Sequence, residues 1–276
     1  MFRKIAFNNF ICKFGQKKDG VQYGGSYILS KIKYPKQTQI KNININSHQD
    51  YAKGYKLIKQ NISQGYFNIN LGGDHSISAC TIQPLIDSYK DDLLVIWIDA
   101  HADINTYDAS LTKNLHGMPV ASLCGVMNPW YNIGQRPYQF ESLSKQNLIY
   151  VGIRDLDAYE STYIQKQNIS YFPEFNWKLI LKILNHPAKY IHISCDIDAM
   201  DPSICKSTGT PVPNGLSRKN IEEIIFYSQS RLISFDLVEF NPLIGTRSEC
   251  NQTMYQIKKI LKSITKFKIS STHNKN

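Results

Sequence analysis

The stretch Leu93-Leu94-Val95-Ile96-Trp97-Ile98-Asp99-Ala100-His101-Ala102-Asp103 decides the fold. Its first six residues are apolar without a break, the pattern of a strand covered on both faces rather than one turned half to water. The pattern recurs at Tyr190–Cys195, which ends in Asp196-Ile197-Asp198-Ala199-Met200-Asp201-Pro202, and at Phe67–Leu71, which ends in Gly72-Gly73-Asp74-His75-Ser76. Shorter apolar, β-branched runs mark candidate strands at Lys4–Phe7, Thr38–Ile43, Leu148–Ile153, Ile169–Tyr171 and Leu232–Leu237. Between most of them, Tyr51–Gln60, His75–Tyr89, Trp177–Leu184 and Arg218–Ser228 carry helix-like spacing. A last helix from Met254 to about Lys266 puts Met254, Ile257, Leu261 and Ile264 on one face. Such alternation predicts an α/β fold, with parallel strands, right-handed crossovers and helices on both faces of the sheet. Two stretches, Asp103–Gly117 and Met127–Gln146, lack a period and read as long loops, which in compact α/β proteins tend to be functional.

The chain has 276 residues, 42% apolar and 20% charged, enough for a real core. Residues 1–276 read as a single domain whose last few residues form a flexible tail. The longest apolar run falls far short of the roughly 20 residues that a bilayer crossing needs. Lys4, Asn8 and Asn9 interrupt the stretch where a signal peptide would be apolar. A cytoplasmic protein with no membrane partner is therefore expected. Cys12, Cys80, Cys124, Cys195, Cys205 and Cys250 form no CxxC pair, so neither a disulfide framework nor a zinc knuckle is indicated. The net charge of +10 raises the question of a polyanion. No binding motif accompanies it, and no nucleic-acid partner is expected.

Chemistry gathers where strands end, and in an open parallel sheet the carboxyl ends of the strands form the ligand crevice. Asp99 and His101 are two residues apart, as are Asp196 and Asp198, so each pair points to one side of extended backbone. His75 joins them, and Asp103 does so if its loop turns back. Carboxylates that close repel unless cations neutralise them. Oxygen-rich ligation with a little nitrogen suits manganese better than zinc. Two such ions about 3.5–4 Å apart lower the pKa of a water between them, which is hydrolytic equipment.

The motifs GGDHS, DAHAD and DIDAMDPS together resemble the ureohydrolase family and, within it, the arginases. The similarity runs from Gly15-Gln16 and Asp19-Gly20-Val21 to Glu239-Phe240-Asn241-Pro242. The resemblance implies an eight-stranded parallel sheet in a three-layer sandwich and two Mn2+ per subunit. It places one ion on His75, Asp99, Asp103 and Asp196, and the other on His101, Asp99, Asp196 and Asp198. It also implies hydrolysis of L-arginine to L-ornithine and urea, with Asp103, His116 and Glu239 catalytic: His116 relays a proton to the leaving amine and Glu239 faces the guanidinium. Asn105, Ser110, Thr112 and Asn114 would read the substrate α-carboxylate, Asp157 its α-ammonium, and Thr210 would line the same site. For Asp157 the residues alone leave open a loop carboxylate paired with Arg154. A homo-oligomer, trimer or hexamer, is the assembly the family implies.

Departures are local. Thr112-Lys113-Asn114 stands where arginases commonly show Ser-Gly-Asn, and Asn214 stands where they tend to have Gly. Ala199-Met200 replaces the usual Gly-Leu, and Gly24-Gly25-Ser26 stands where a Gly-Pro begins the first helix. No metal ligand is lost. The rival readings are a ureohydrolase acting on agmatine or a guanidino acid, a catalytically silent regulatory member of the family, and a basic nucleic-acid binder.

Overall fold

A computed structural model describes residues 4–35, 38–133 and 140–270, with side chains to 266. Part of the second expected loop, 134–139, and the expected tail at 271–276 lie outside the described residues. Eight strands form one sheet: β1 (Lys4–Cys12), β2 (Gln39–Ile45), β3 (Tyr66–Leu71), β4 (Leu93–Ile98), β5 (Leu148–Val151), β6 (Ser170–Phe172), β7 (Tyr190–Asp196) and β8 (Leu232–Val238). Their spatial order is β2-β1-β3-β8-β7-β4-β5-β6, and every pairing is parallel. The last strand in sequence thus lies between the group β1–β3 and the group β4–β7.

Alternate residues of β4 feed opposite cores, as period-2 side chains must. Leu94, Ile96 and Ile98 pack with residues of α1 (Gly24–Lys31), α6 (Trp177–Leu184), α7 (Arg218–Ser228) and α8 (Arg247–Ser270). Leu93, Val95 and Trp97 pack with α3 (Ser78–Tyr89), α4 (Pro119–Leu123) and α5 (Ala158–Lys166). On that second side, α2 (Tyr51–Ser63) covers Phe10 and Cys12 of β1. The result is the expected three-layer sandwich.

Several boundaries differ from the sequence reading, each for a physical reason. β1 continues five residues past Phe7 because the amide nitrogens of Asn8 and Asn9, which break the apolar run, find acceptors inside. Asn8 donates to Asn68 Oδ1 (3.1 Å) and Asn70 Oδ1 (2.8 Å) on β3, while Asn9 donates to Ser26 Oγ and Asn42 Oδ1. The last helix begins at Arg247 rather than Met254, started by Thr246, whose hydroxyl accepts from Glu249 N while Glu249 accepts from Thr246 N. His75–Ile77 is a separate 3-10 turn ahead of α3, started by Asp74, whose carboxylate accepts from Ser76 N.

The asparagine ladder carries a testable cost. Asn8→Leu leaves the buried Asn68 and Asn70 oxygens without this donor, and urea unfolding is expected to show a loss of roughly 1–3 kcal/mol. An unchanged midpoint would show the ladder to be energetically neutral.

Candidate metal centre and substrate cleft

The three expected clusters meet at the carboxyl ends of β3, β4 and β7. His75 Nδ1 lies 3.0 Å from Asp99 Oδ2, 3.1 Å from Asp103 Oδ2 and 3.4 Å from Asp196 Oδ2. His101 Nδ1 lies 3.2 Å from Asp198 Oδ2 and 3.5 Å from Asp99 Oδ1. Asp99 therefore faces both imidazoles. Asp103 reaches the group because its backbone turns through the left-handed region, φ 51°, a conformation that non-glycine residues adopt at a cost and that concentrates at functional sites.

Without cations this arrangement is electrostatically frustrated. Among the described residues, buried His75 Nδ1 has no hydrogen-bond partner, although three carboxylate oxygens converge on it. Burial, then the neighbouring Asp198 and Asp99 charges, raises Asp196 well above the carboxylate range. Burial and the Asp99 charge push Asp103 up to about 6. For Asp99, burial acts upward but the flanking His101 and His75 imidazoles win and hold it low. Burial acts downward on His101, yet hydrogen bonds to Asp198 and Asp99 push it up to about 12. Acceptor oxygens and imidazole nitrogens packed this closely fit divalent cations, and the two overlapping groups His75-Asp99-Asp103 and Asp99-His101-Asp198 each offer three convergent atoms.

Over this centre opens a cleft of about 180 Å³ lined by Asp103, Asn105, Ser110, Thr112, Asn114, His116 and Thr210, among others. The loop after β4 is braced by its own polar groups: Ser110 N donates to Thr106 O (2.8 Å), Lys113 N to Ser110 Oγ (3.1 Å) and Asn114 N to Thr112 Oγ1 (3.3 Å). Lys113 adopts φ 59°, a conformation open to the glycine that the resemblance implies at this position, and its ammonium donates to the Tyr107 carbonyl across the loop. Asn214 likewise has φ 62°, so the turn tolerates Asn for Gly as expected. Thr210 Oγ1 donates to Asp198 Oδ2 (3.0 Å).

Glu239 and His116 form a pair at the cleft, with His116 Nδ1 3.2 Å from Glu239 Oε1. Burial pushes His116 down, but Glu239 more than compensates and raises it to about 9. Asp157 stands apart from the lining residues and is exposed. Its Oδ1 accepts from Glu160 N (2.8 Å), making it the N-cap of α5 within a capping box, and its Oδ2 accepts from the Asn105 amide. It is not paired with Arg154, whose guanidinium donates to the carbonyls of Gly152, Asp198, Ala199, Val212 and Pro213.

Supporting residues escaped the sequence reading. Trp97 stacks on His75 at 4.1 Å and donates to Asp99 Oδ2 (3.0 Å). Ser194 meets His75 Nε2 at 2.9 Å, and Asp155 lies 3.7 Å from His101 Nε2. Such partners orient metal-ligating imidazoles. Ser194 sits in the apolar run Tyr190–Cys195 and Asp155 beside Arg154, and their polarity was the available signal. Glu160, also on the cleft, is driven up to about 8 by burial and then by Asp103 and Asp157.

Comparison with known proteins agrees with this geometry. The sequence model of the Arginase family matches residues 14–265. An arginase of Schizosaccharomyces pombe is 32% identical over 226 residues, covering 75% of this chain and 67% of that protein. The crystal structure of Entamoeba histolytica arginase in complex with L-ornithine superposes with a TM-score of 0.79 at 27% identity, covering 96% of this chain and 98% of that one. Formimidoylglutamase from Bacillus subtilis shares the fold, with a TM-score of 0.74 at 21% identity over 96% of this chain and 88% of that one. With the match spanning nearly the whole sequence and the acidic-histidine clusters at the same strand ends that its motifs mark, this chain belongs to the arginase family.

Proposed function

We propose that the chain is a manganese-dependent arginase that hydrolyses L-arginine to L-ornithine and urea. The observation that carries this reading is the junction of the two halves of the site: a buried imidazole-carboxylate cluster directly beneath a cleft lined by neutral hydroxyl and amide donors. His75, Asp99, Asp103 and Asp196 would hold one Mn2+, and His101, Asp99, Asp196 and Asp198 the other. When bound, such a pair supplies a hydroxide nucleophile at neutral pH.

The chain's own residues then have separable tasks. Glu239, kept low because the His116 hydrogen bond and charge outweigh burial, presents an anion to the guanidinium. His116, protonated at neutral pH by the same pairing, donates a proton to the departing δ-amine of ornithine. Asp103, at the cleft wall beside His116, adds negative charge where the guanidinium carbon must approach. Asn105, Ser110, Thr112 and Asn114 offer uncharged donors that suit an α-carboxylate, directly or through water. Asp157, joined to Asn105 at the rim, is placed to take the α-ammonium. Thr210 fixes Asp198. The L-ornithine bound to the Entamoeba relative supports the same product here.

Urea release from protein stripped of metal and then reloaded with Mn2+, run on L-arginine beside agmatine, tests the proposal. Mn2+-dependent release from arginine is expected, and a preference for agmatine or silence with both would reject it. Asp157→Asn keeps the helix cap while removing the charge. It should raise KM for arginine at least roughly tenfold, the scale of a lost charge-assisted bond, and leave any agmatine turnover nearly unchanged. Equal losses on both substrates would assign Asp157 to α5 alone. His116→Asn should lower kcat roughly a hundredfold with little change in KM, and an unaltered kcat would remove His116 from proton transfer.

A further inference from the structure

Glu239 is the most constrained acid at the cleft. It follows β8 with φ 64°, a left-handed conformation rare for glutamate, and its N–H donates to Gly73 O (2.9 Å). The backbone strain is matched by a fully engaged carboxylate. Oε1 accepts from His75 N (2.9 Å) and lies 3.2 Å from His116 Nδ1. Oε2 accepts from the Gln16 side-chain amide at 2.6 Å. The two partners of Oε1 have other work, one as the backbone of a candidate ligand and the other as a candidate acid. Among the described residues, Gln16 alone donates to Oε2.

The segment bearing Gln16 is built to keep it there. Gly15 N donates to Asp74 Oδ2 (2.9 Å), and Gly15 O accepts from His116 N (3.2 Å). A side chain on Gly15 would place its Cβ 2.4 Å from Asp74 Oδ1. Gln16 N closes a turn onto Lys13 O (3.2 Å), and the Lys18 ammonium donates to Gly209 O on the far wall. Asp19 O accepts from Asn241 Nδ2 (2.9 Å), just beyond Glu239. The turn is thus pinned to both sides of the cleft with the Gln16 amide aimed at one oxygen.

From this we infer that Gln16 is a positioning residue that sets guanidinium affinity by fixing the plane of the Glu239 carboxylate without neutralising it. The chemistry selects an amide. A lysine or arginine at this position would compete with the substrate cation for Glu239, and an apolar residue would leave Oε2 free to rotate. The inference rests on the proposed role of Glu239 as the guanidinium acceptor.

The test compares wild type with Gln16→Leu, similar in size without the donor, and Gln16→Lys, which keeps a donor but adds charge. In Gln16→Leu the KM for L-arginine should rise roughly tenfold or more. Inhibition by L-ornithine, which has no guanidinium, should stay within twofold, with Mn2+ content and melting temperature unchanged. Gln16→Lys should weaken arginine further at the same ornithine affinity. An unchanged KM in Gln16→Leu overturns the inference, and so does a parallel loss of arginine and ornithine, which would mark a purely structural role. If wild type turns over no arginine, the proposed reaction fails by itself. Calorimetric titration with methylguanidinium then decides Gln16, weaker binding to Gln16→Leu supporting the inference and equal binding overturning it.

Discussion

Everything at the upper edge of this sheet depends on confining like charges. Asp99, Asp103, Asp196 and Asp198 are all buried within a few ångströms of one another. At an effective dielectric near 20, two charges about 4 Å apart repel by roughly 4 kcal/mol, and the two imbedded imidazoles can offset only part of the sum. The fold accepts the repulsion because Asp99, Asp196 and Asp198 sit at or just after strand ends and are tethered by neighbours, Asp99 by Trp97 and His101 N, Asp196 by Asp198 N and Asp198 by Thr210. Burial of these groups makes chemical sense only with cations among them. The central strands therefore carry two loads, a core that needs continuous apolar residues and an edge that needs acids.

The cleft above is arranged differently. Its polar side chains sit on a loop, where precision has to come from local hydrogen bonds instead of sheet pairing. Ser110 and Thr112 each accept a backbone N–H from the loop while turning toward the cleft. Lys113 closes the turn with its ammonium, which compensates for a backbone conformation that glycine would adopt freely. The departure from the family pattern is thus absorbed within the loop itself and leaves the lining residues in place. Asp157 shows a related economy: one oxygen begins α5 and the other meets Asn105, so a helix terminus and the loop after β4 share an anchor.

The fold was legible wherever burial on both faces produced unbroken apolar runs, as at Leu93–Ile98, whose limits agree with the structure. The acidic-histidine clusters were legible because spacing of two in extended backbone carries directly into geometry. Asn8 and Asn9 misled because a buried polar ladder looks like a strand end until its partners, some sixty residues away for Asn8, are known. α5 was missed although Asp157-Ala158-Tyr159-Glu160 carries a capping box, since its buried apolar face is reduced to Ile164. Gln16 was legible as the start of the family resemblance but not as the partner of Glu239, which lies 223 residues away, because an amide on a loop has no pattern that points to its acceptor.

The placement of β8 between the two groups of strands has a consequence for how the molecule comes into being. β1–β3 can pair as soon as they exist, and so can β4–β7, but His75 belongs to the first group and the ligand candidates on β4 and β7 to the second. Only when Leu232–Val238 slots between β3 and β7 do the half-sheets become one. On a ribosome this step waits for most of the chain to emerge, and the closing contacts are among the most distant in sequence, the kind that form slowly. Until then the β4–β7 half carries the four carboxylates and His101 but lacks His75. Insertion of a single late strand joins the sheet and brings His75 to the carboxylates of β4 and β7, so a cation held by His75 and those carboxylates together would favour the finished topology over its halves.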